Sequence, residues 1–203
     1  MSHSGTPRVF IIEGIAGSGK DTLSRVLHHS LNPSTRPVYY YPEEAVACSY
    51  THVFWPGIVP VRFSLLEAAL DFVEAESARL PGDSFIFNRF HLTLGITMAQ
   101  EGKASDFHSR YERLINRLKH LDILVFLLQL KEHEIAAKLH LEWAQEELVW
   151  KLFLERRLTE TPYDTVQELF TAQQELLNRL IKEQGLPYQT GTLEELLGFV
   201  TSF

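Results

Sequence analysis

A glycine-rich loop between two contrasting segments constrains the fold of this chain more than any other feature. Val9 to Ile12 is a short apolar run of the kind that forms a buried strand. The stretch GIAGSGK follows it, and after Lys20 the apolar residues recur with helical spacing. A strand, a glycine loop and a helix in this order allow backbone N–H groups to converge on an anion at the helix N-terminus. The sequence therefore predicts a phosphate-binding loop.

The loop satisfies the G-x-x-x-x-G-K pattern at each of its fixed positions. Gly14, Gly19 and Lys20 occupy these positions, and Gly17 adds a further glycine. Lys20 is expected to bring positive charge to the outer phosphates of a nucleotide. The alternative is a glycine-rich turn that merely joins a strand to a helix. The expected nucleotide-binding residues are Gly14, Ile15, Ala16, Gly17, Ser18, Gly19, Lys20, Asp21 and Thr22.

Asp21 stands where the pattern usually has a serine or threonine that binds Mg²⁺ through its hydroxyl group. A carboxylate there could bind Mg²⁺ directly or through water, because this cation prefers oxygen ligands. Alternatively, Asp21 is an acidic residue favoured in the first turn of a helix by the helix dipole, and Thr22 supplies the hydroxyl. The second interpretation is favoured, since the helix rewards an acid there whatever the function. Asp21 and Thr22 are both candidate metal ligands.

Apolar strand-like runs alternate with helical segments along the whole chain. Beyond the first strand, strands are predicted at Val38 to Tyr41, at Ser84 to Phe87, at Ile123 to Leu130 and, more weakly, in PYQT. One long helix is predicted from about Thr165 to Gln184, ended by Gly185. This order predicts an α/β fold of the P-loop NTPase type, a three-layer sandwich with a parallel sheet of about five strands flanked by helices. Residues 1–203 are expected to form a single domain.

Composition excludes several classes of partner and site. The net charge of −7 argues against a surface for polymeric nucleic acid. The single cysteine, Cys48, excludes an intrachain disulfide and a multi-cysteine zinc site. The polar start of the chain has no apolar signal region, and no apolar run is as long as a membrane span. A cytoplasmic protein without a membrane partner is expected.

Several motifs together resemble those of thymidylate kinases and deoxynucleoside kinases. IIEGIAGSGKDT is similar to the family's opening strand and loop, and SFIFNRFHLT is similar to its third strand and Asp-Arg-aromatic motif. WKLFLERR falls where the family has an arginine-bearing lid, here a helical region around residues 142–162. The resemblance covers most of the chain. It implies a kinase that uses ATP and Mg²⁺ to phosphorylate a small nucleoside or nucleoside monophosphate.

The resemblance also implies roles for individual residues. Arg89 would act on phosphate at the reaction centre, and its position after the third strand is independently typical of a ligand-binding edge. Arg156 and Arg157 would be lid arginines, although an exposed helix face with salt bridges is the competing interpretation. Glu43 or Glu44 would be the acid on the substrate side, able to take a proton from an acceptor hydroxyl; a solvated acidic turn is equally compatible.

Three departures from the family pattern weaken a specific assignment to thymidylate. Asn88 stands in place of the aspartate before the arginine, and Ala16 in place of the loop aspartate of thymidylate kinases. No arginine on the long helix matches the one that binds the acceptor phosphate, unless Arg62 replaces it. Two alternatives therefore stay open: a small-molecule kinase with another hydroxyl acceptor, such as a sugar or an antibiotic, and a nucleotide-binding protein with little catalysis.

The loop after the second strand is rich in aromatic residues that could stack on a nucleobase. Tyr50, Phe54 and Trp55 are the candidates, and packing into the core is the more common role for any one of them. The sequence does not determine the oligomeric state, and a homodimer is kept as an open alternative.

Overall fold

The centre of the fold is one parallel sheet. In the computed structural model, which describes residues 8–31, 36–43, 45, 58–79, 82–145 and 148–201, the sheet has five strands. The strands are β1 (Val9–Glu13), β2 (Val38–Tyr41), β3 (Ser84–Asn88), β4 (Ile123–Leu128) and β5 (Tyr188–Gly191). Their order is β2-β3-β1-β4-β5, and all four neighbouring pairs are parallel. The predicted parallel sheet is confirmed.

Helices connect the strands and cover both faces of the sheet. Eight are present in the described ranges: α1 (Lys20–Ser30), α2 (Ile58–Arg79), α3 (His91–Gln100), α4 (Ala104–Lys119), α5 (Glu132–Gln145), α6 (Leu148–Glu160), α7 (Val166–Gln184) and α8 (Leu193–Val200). Within those ranges, none of these helices combines the length and the apolar character needed to cross a membrane.

The strands are buried on both faces, which explains their continuous apolar sequences. On β1, Phe10 and Ile12 point to one face and pack with residues of α1 and α8. Val9 and Ile11 point to the other face and pack with residues of α2, α3, α4 and α7. The two cores lie on opposite sides of one sheet, so the predicted three-layer arrangement is also confirmed.

Four strands differ from the sequence-based prediction at one end or both, and β1 and β3 each extend one residue further than predicted, to Glu13 and Asn88. β4 ends at Leu128, two residues before the predicted end at Leu130. Apolar character continues because Leu130 is buried against α7, where its amide donates a hydrogen bond to Gln174 Oε1 at 2.9 Å. β5 covers Tyr188–Gly191 instead of PYQT, a shift of one residue at each end. A residue buried against a helix and a residue buried in a sheet are both apolar in the sequence. The predicted end of β4 was wrong for this reason.

The order of the strands determines which residues meet at the carboxyl edge. β1 is central, with β3 on one side and β4 on the other. Ile12 pairs with Asn88, so Glu13 and the residues after β3 lie next to each other. Parallel strands bring all their carboxyl ends to one edge, where α/β sheets usually bind ligands. The glycine loop leaves β1 at this edge.

Candidate functional site

The glycine loop follows β1 in a conformation that requires glycine. Gly14 has a φ of +154°, and Gly19, the residue just before α1, has a φ of +93°. A Cβ atom on Gly14 would lie 2.6 Å from Ser18 Oγ and 3.0 Å from the carbonyl oxygen of Leu128. Side chains are therefore excluded from the inside of the loop, and the backbone can approach a ligand closely.

Lys20 crosses the loop and holds its positive charge inside the fold. Its Nζ donates a hydrogen bond to the carbonyl oxygen of Ile15 at 2.9 Å, and the residue is buried. Burial, followed by the positive charge of Arg89, lowers the pKa of Lys20 to about 8. Ser18 Oγ is also buried and has no hydrogen-bond partner among the described residues. A buried ammonium group and an unpartnered hydroxyl beside an open helix N-terminus fit a bound phosphate chain.

Arg89 links the glycine loop to Glu43, which follows β2. It has a φ of +70° and is the only non-glycine residue with a positive φ in the described ranges. This uncommon conformation turns its side chain back over the loop, where Nη1 donates to the Gly14 carbonyl oxygen at 3.1 Å. Its Nε lies 2.7 Å from Glu43 Oε2. Strain of this kind is typically kept at functional sites.

Glu43 is the predicted acidic residue that the structure brings to the loop. Burial raises its pKa, but the charges of Arg89 and Lys20 outweigh burial and hold the pKa below its usual value. Glu43 is therefore ionised at neutral pH, beside the arginine that contacts the loop. Glu44, the other predicted candidate, lies outside the described residues.

Glu13 is a residue for which the sequence analysis assigned no role. Its carboxylate is fully buried, and Oε1 accepts hydrogen bonds from the amides of Phe90 at 2.7 Å and Leu92 at 3.0 Å. Oε2 accepts from Thr93 Oγ1 at 2.6 Å. Burial raises the pKa of Glu13. The carboxylate thus occupies the N-terminus of α3 and fixes the backbone next to Arg89. Its position as the last residue of β1 was the available signal.

A second buried network of hydrogen bonds holds the start of α3 in place. His91 Nε2 donates to Gln184 Oε1 at 2.9 Å, and the hydroxyl of Tyr111 donates to the His91 carbonyl oxygen at 3.0 Å. Gln184 Nε2 in turn donates to the Tyr111 hydroxyl at 2.9 Å. Burial lowers the pKa of His91 to about 3, so this histidine is neutral. The network ties α3 to α4 and α7 and supports the backbone that carries Arg89.

The two candidate metal ligands differ in exposure. Asp21 is exposed, and its Oδ1 accepts a hydrogen bond from Asn88 Nδ2 at the end of β3. Thr22 follows it on α1 and is half-buried. A carboxylate and a hydroxyl at the start of the loop helix are oxygen donors that suit Mg²⁺. The residues present therefore fit a magnesium ion that accompanies a nucleotide.

The predicted lid arginines lie apart from the loop. Arg156 Nε is 2.5 Å from Glu160 Oε1 on the same helix. Arg157 is buried, and its Nη2 lies 3.7 Å from Oε1 of Glu101, which follows the C-terminus of α3. Arg89 precedes the N-terminus of α3, so the ten-residue length of that helix, about 15 Å, separates the two places. The structure does not bring these arginines to the loop, and their lid role stays a prediction.

The remaining candidates are on α2 and in the aromatic segment before it. Arg62 is buried on α2, and its Nη1 donates to Thr97 Oγ1 at 2.5 Å. This contact places Arg62 near the second half of α3, and its role in binding an acceptor phosphate stays a prediction. Tyr50, Phe54 and Trp55 lie outside the described residues.

Comparison with solved structures finds kinases of nucleosides among the similar folds. Deoxyadenosine kinase from M. mycoides with bound dCTP matches with a TM-score of 0.50 and 15% identity, over 96% of this chain and 97% of that one. The same enzyme with dCMP and dCDP matches with a TM-score of 0.50 and 12% identity, over 96% of each chain. YorR protein from Bacillus subtilis in complex with phosphorylated GDP matches with a TM-score of 0.46 and 14% identity, over 90% of this chain and 84% of that one.

Sequence comparisons give no further assignment, because no protein-family model and no curated protein matches the chain. The deoxyadenosine kinase structures align over nearly the full length of both chains, and at this identity they show the fold alone. The chain therefore has the fold of P-loop nucleoside and nucleotide kinases. The resemblance inferred from the loop and the order of motifs is confirmed at the level of the fold.

Proposed function

We propose that the protein is an ATP-dependent kinase that transfers the γ-phosphoryl group to a small nucleoside or nucleoside monophosphate. Three residues from different elements support this function: Lys20 in the loop, Arg89 after β3 and Glu43 after β2. The fold shared with deoxyadenosine kinases is compatible with the same chemistry. In this proposal residues 1–203 form one kinase domain, and the helical region around 142–162 acts as the lid.

The observation that carries the proposal is the pair of contacts made by the Arg89 guanidinium. One nitrogen bonds the carbonyl oxygen of Gly14 at 3.1 Å, and another lies 2.7 Å from the carboxylate of Glu43. One cation thus joins the phosphate-binding loop to an acidic residue at the adjacent strand end. Phosphoryl transfer depends mainly on positioning and on neutralising charge, so a cation between donor and acceptor sites is the expected arrangement.

Glu43 supports a hydroxyl acceptor. An ionised carboxylate can orient a hydroxyl group and take its proton as the new O–P bond forms. The same carboxylate would repel an acceptor phosphate unless Arg89 or Arg62 compensates, since like charges at close range are unfavourable. Within the proposal, a nucleoside hydroxyl is therefore favoured over a monophosphate. A sugar or another small hydroxyl compound would satisfy the same chemistry.

Mg²⁺ would neutralise charge on the β- and γ-phosphates, and Asp21 or Thr22 are the residues that would hold it. Lys20 binds the outer phosphates, and the loop amides orient the chain of phosphates. Arg89 stabilises the charge that develops on the transferred group. Asn88 supports the rival proposal, nucleotide binding with little catalysis, because an amide cannot act as a base.

A coupled assay of ADP formation over a panel of nucleosides, nucleoside monophosphates and sugars tests the proposal. We expect turnover with at least one nucleoside and loss of that turnover in Glu43→Gln, with ATP affinity retained. Glu74→Gln is the matched control, because Glu74 pairs with Arg117 on the exposed face between α2 and α4. Tight ATP binding without turnover on any acceptor would favour the rival, and absence of ATP binding would contradict both.

A further inference from the structure

Asp21 lies in the first turn of α1, yet its side chain is turned towards the sheet. Its Oδ1 accepts a hydrogen bond from Nδ2 of Asn88, which is 67 residues away in the chain and ends β3. An acidic residue that serves only the helix dipole needs no partner on a strand. The direction of this carboxylate therefore requires a second explanation.

Asn88 is suited to holding a carboxylate at this place. Its side chain is 1% exposed, and Nδ2 is directed to Asp21. Its Oδ1 is buried without a hydrogen-bond partner among the described residues, which is rare and marks room for a further polar group. An aspartate at this position would bring two carboxylates into contact, and they would repel each other. The amide allows the negative charge to reside on Asp21.

The negative charges of Asp21 and Glu43 would need a cation to compensate them when a nucleotide is bound. Arg89 contacts both the glycine loop and Glu43, and the charges of Arg89, Glu43 and Asp21 all act on the pKa of Lys20. A triphosphate beside two carboxylates is repelled unless a divalent cation lies between them. In the described part of the chain, no three acidic, histidine or cysteine residues are grouped as a metal site. Phosphate oxygens and water would therefore supply the remaining ligands.

We infer that Asp21 contributes the carboxylate oxygen that binds the divalent cation of a bound nucleotide, and that Asn88 positions this carboxylate. The inference rests on the proposed nucleotide-binding function. The cation is of the hard, oxygen-binding kind, such as Mg²⁺ or Mn²⁺. Thr22, which the sequence favoured, is then not the principal ligand, and the carboxylate replaces the usual hydroxyl on α1 itself.

Titration of Mn²⁺ with and without ATP, followed by electron paramagnetic resonance, measures cation binding without relying on turnover. ATP affinity in the presence of EDTA is measured separately by calorimetry. The variants are Asp21→Asn, Asn88→Ala, Thr22→Ala and the exchanged pair Asp21→Asn with Asn88→Asp. Asp106→Asn is the matched control, because Asp106 is also an acidic residue in the first turn of a helix, α4, away from the loop.

We expect wild-type protein to bind Mn²⁺ more tightly when ATP is present. Asn88→Ala should weaken this binding by about tenfold, as is typical when a group that orients a metal ligand is lost. Asp21→Asn should weaken it at least as much, while ATP binding in EDTA stays the same or tightens because a negative charge is gone. The exchanged pair should recover most of the Mn²⁺ affinity, and Asp106→Asn and Thr22→Ala should change it little.

Other outcomes separate the inference from the function on which it rests. Unchanged Mn²⁺ affinity in Asp21→Asn, or a large loss confined to Thr22→Ala, overturns the role of Asp21. Unchanged affinity in Asn88→Ala, beside a loss in Asp21→Asn, overturns the positioning role of Asn88. If wild-type protein binds no ATP in either condition, the proposed function itself fails. Asp21→Ser, which keeps an oxygen donor, is the second variant if Asp21→Asn is unstable, and an Mn²⁺ affinity equal to that of wild type then contradicts a carboxylate ligand.

Discussion

Two helix N-termini lie at the same edge of the sheet, and they differ in whether a side chain accepts hydrogen bonds from their amides. α3 begins against the carboxylate of Glu13, which accepts hydrogen bonds from the first amides of that helix. α1 is preceded by Gly19, which has no side chain to serve as a cap. Each N-terminus carries unpaired N–H groups and a partial positive charge, so each attracts an anion. One is occupied by a carboxyl group of the protein itself, and the other has no side-chain cap.

The contrast identifies which N-terminus is available to a ligand. Glu13 is fully buried, and its carboxyl group accepts hydrogen bonds from the start of α3. These bonds hold the start of α3, and with it the adjacent Arg89, in a fixed position. Arg89 contacts the carbonyl oxygen of Gly14, in the glycine loop that leads to the open N-terminus of α1. A phosphate chain bound at α1 would lie against groups that are already in place. Such preorganisation is how active sites stabilise developing charge without rearrangement.

Removing the positive charge of Lys20, at the open N-terminus of α1, should have the largest effect on turnover. Lys20→Ala should lower nucleotide-dependent turnover by on the order of 1,000-fold, because no other group replaces its charge at the outer phosphates. The fold should survive, since the variant also removes the cost of burying a charge. Turnover and thermal unfolding measured on the same preparation test both parts. Turnover equal to that of wild type would show that the loop does not bind the phosphates.

Arg89→Ala tests the residue that joins the start of α3 to the glycine loop. We expect kcat to fall by about 100-fold and ATP affinity to change much less, because Arg89 acts on charge that develops in the transition state. Steady-state kinetics with separate measurement of ATP binding makes the distinction. A loss confined to ATP affinity would place Arg89 in ground-state binding only and remove it from the reaction centre.

Glu13→Ala tests the occupied N-terminus. The variant leaves several buried amides of α3 without an acceptor and should lower the free energy of unfolding by about 3 kcal/mol. Thr165→Ala is the matched control, because Thr165 caps α7 by its side chain in a more exposed place; its loss should cost about 1 kcal/mol. Urea denaturation measures both variants. An equal, small effect of the two substitutions would contradict a special role for the Glu13 carboxylate.

The lowered pKa of Lys20 predicts a smaller, pH-dependent effect at the open N-terminus. Below pH about 8 the lysine is protonated in the native and unfolded states, and the native state bears the full cost of its burial. Between pH about 8 and 10.5 the native state has lost this proton and the unfolded state still holds it. The contribution of Lys20 to the free energy of unfolding therefore rises with pH in this range. Bound phosphate restores the proton. ATP affinity should therefore fall as the pH rises through about 8.

Calorimetry in two buffers with different ionisation enthalpies measures the accompanying proton uptake. Wild-type protein should take up protons on binding ATP above pH about 8, and little below it. Lys20→Ala is the control, and it should remove the part of the proton uptake that is due to the lysine. Proton uptake of equal size in both proteins would assign the titration to another group.

The sequence predicted the open N-terminus but not the occupied one. Gly14, Gly19 and Lys20 form a local pattern, and the strand before it and the helix after it can be recognised from hydrophobic spacing alone. Glu13 gains its role only when β3 lies beside β1, because its partners are about eighty residues further along the chain. No local pattern encodes that distance.

The same limit applies to the side chains around the loop. The sequence favoured Asp21 as a residue serving its own helix, and the structure directs it to Asn88 on a neighbouring strand. The positive φ of Arg89 cannot be recognised from composition, because arginine rarely adopts it. The burial of Arg157 against Glu101 depends on how α6 packs near the end of α3. Tertiary packing decides each of these, and residue spacing does not.

Titration of isotope-labelled protein with ATP, followed by amide NMR signals, tests the central contrast most directly. We expect the largest shifts at the amides of residues 14–22, where the N-terminus of α1 is open. The amides of Phe90, Leu92 and Thr93 should shift little, because Glu13 already accepts their hydrogen bonds. Larger shifts at the start of α3 than in the loop, or no shift at either place, would show that ATP does not bind at the N-terminus of α1.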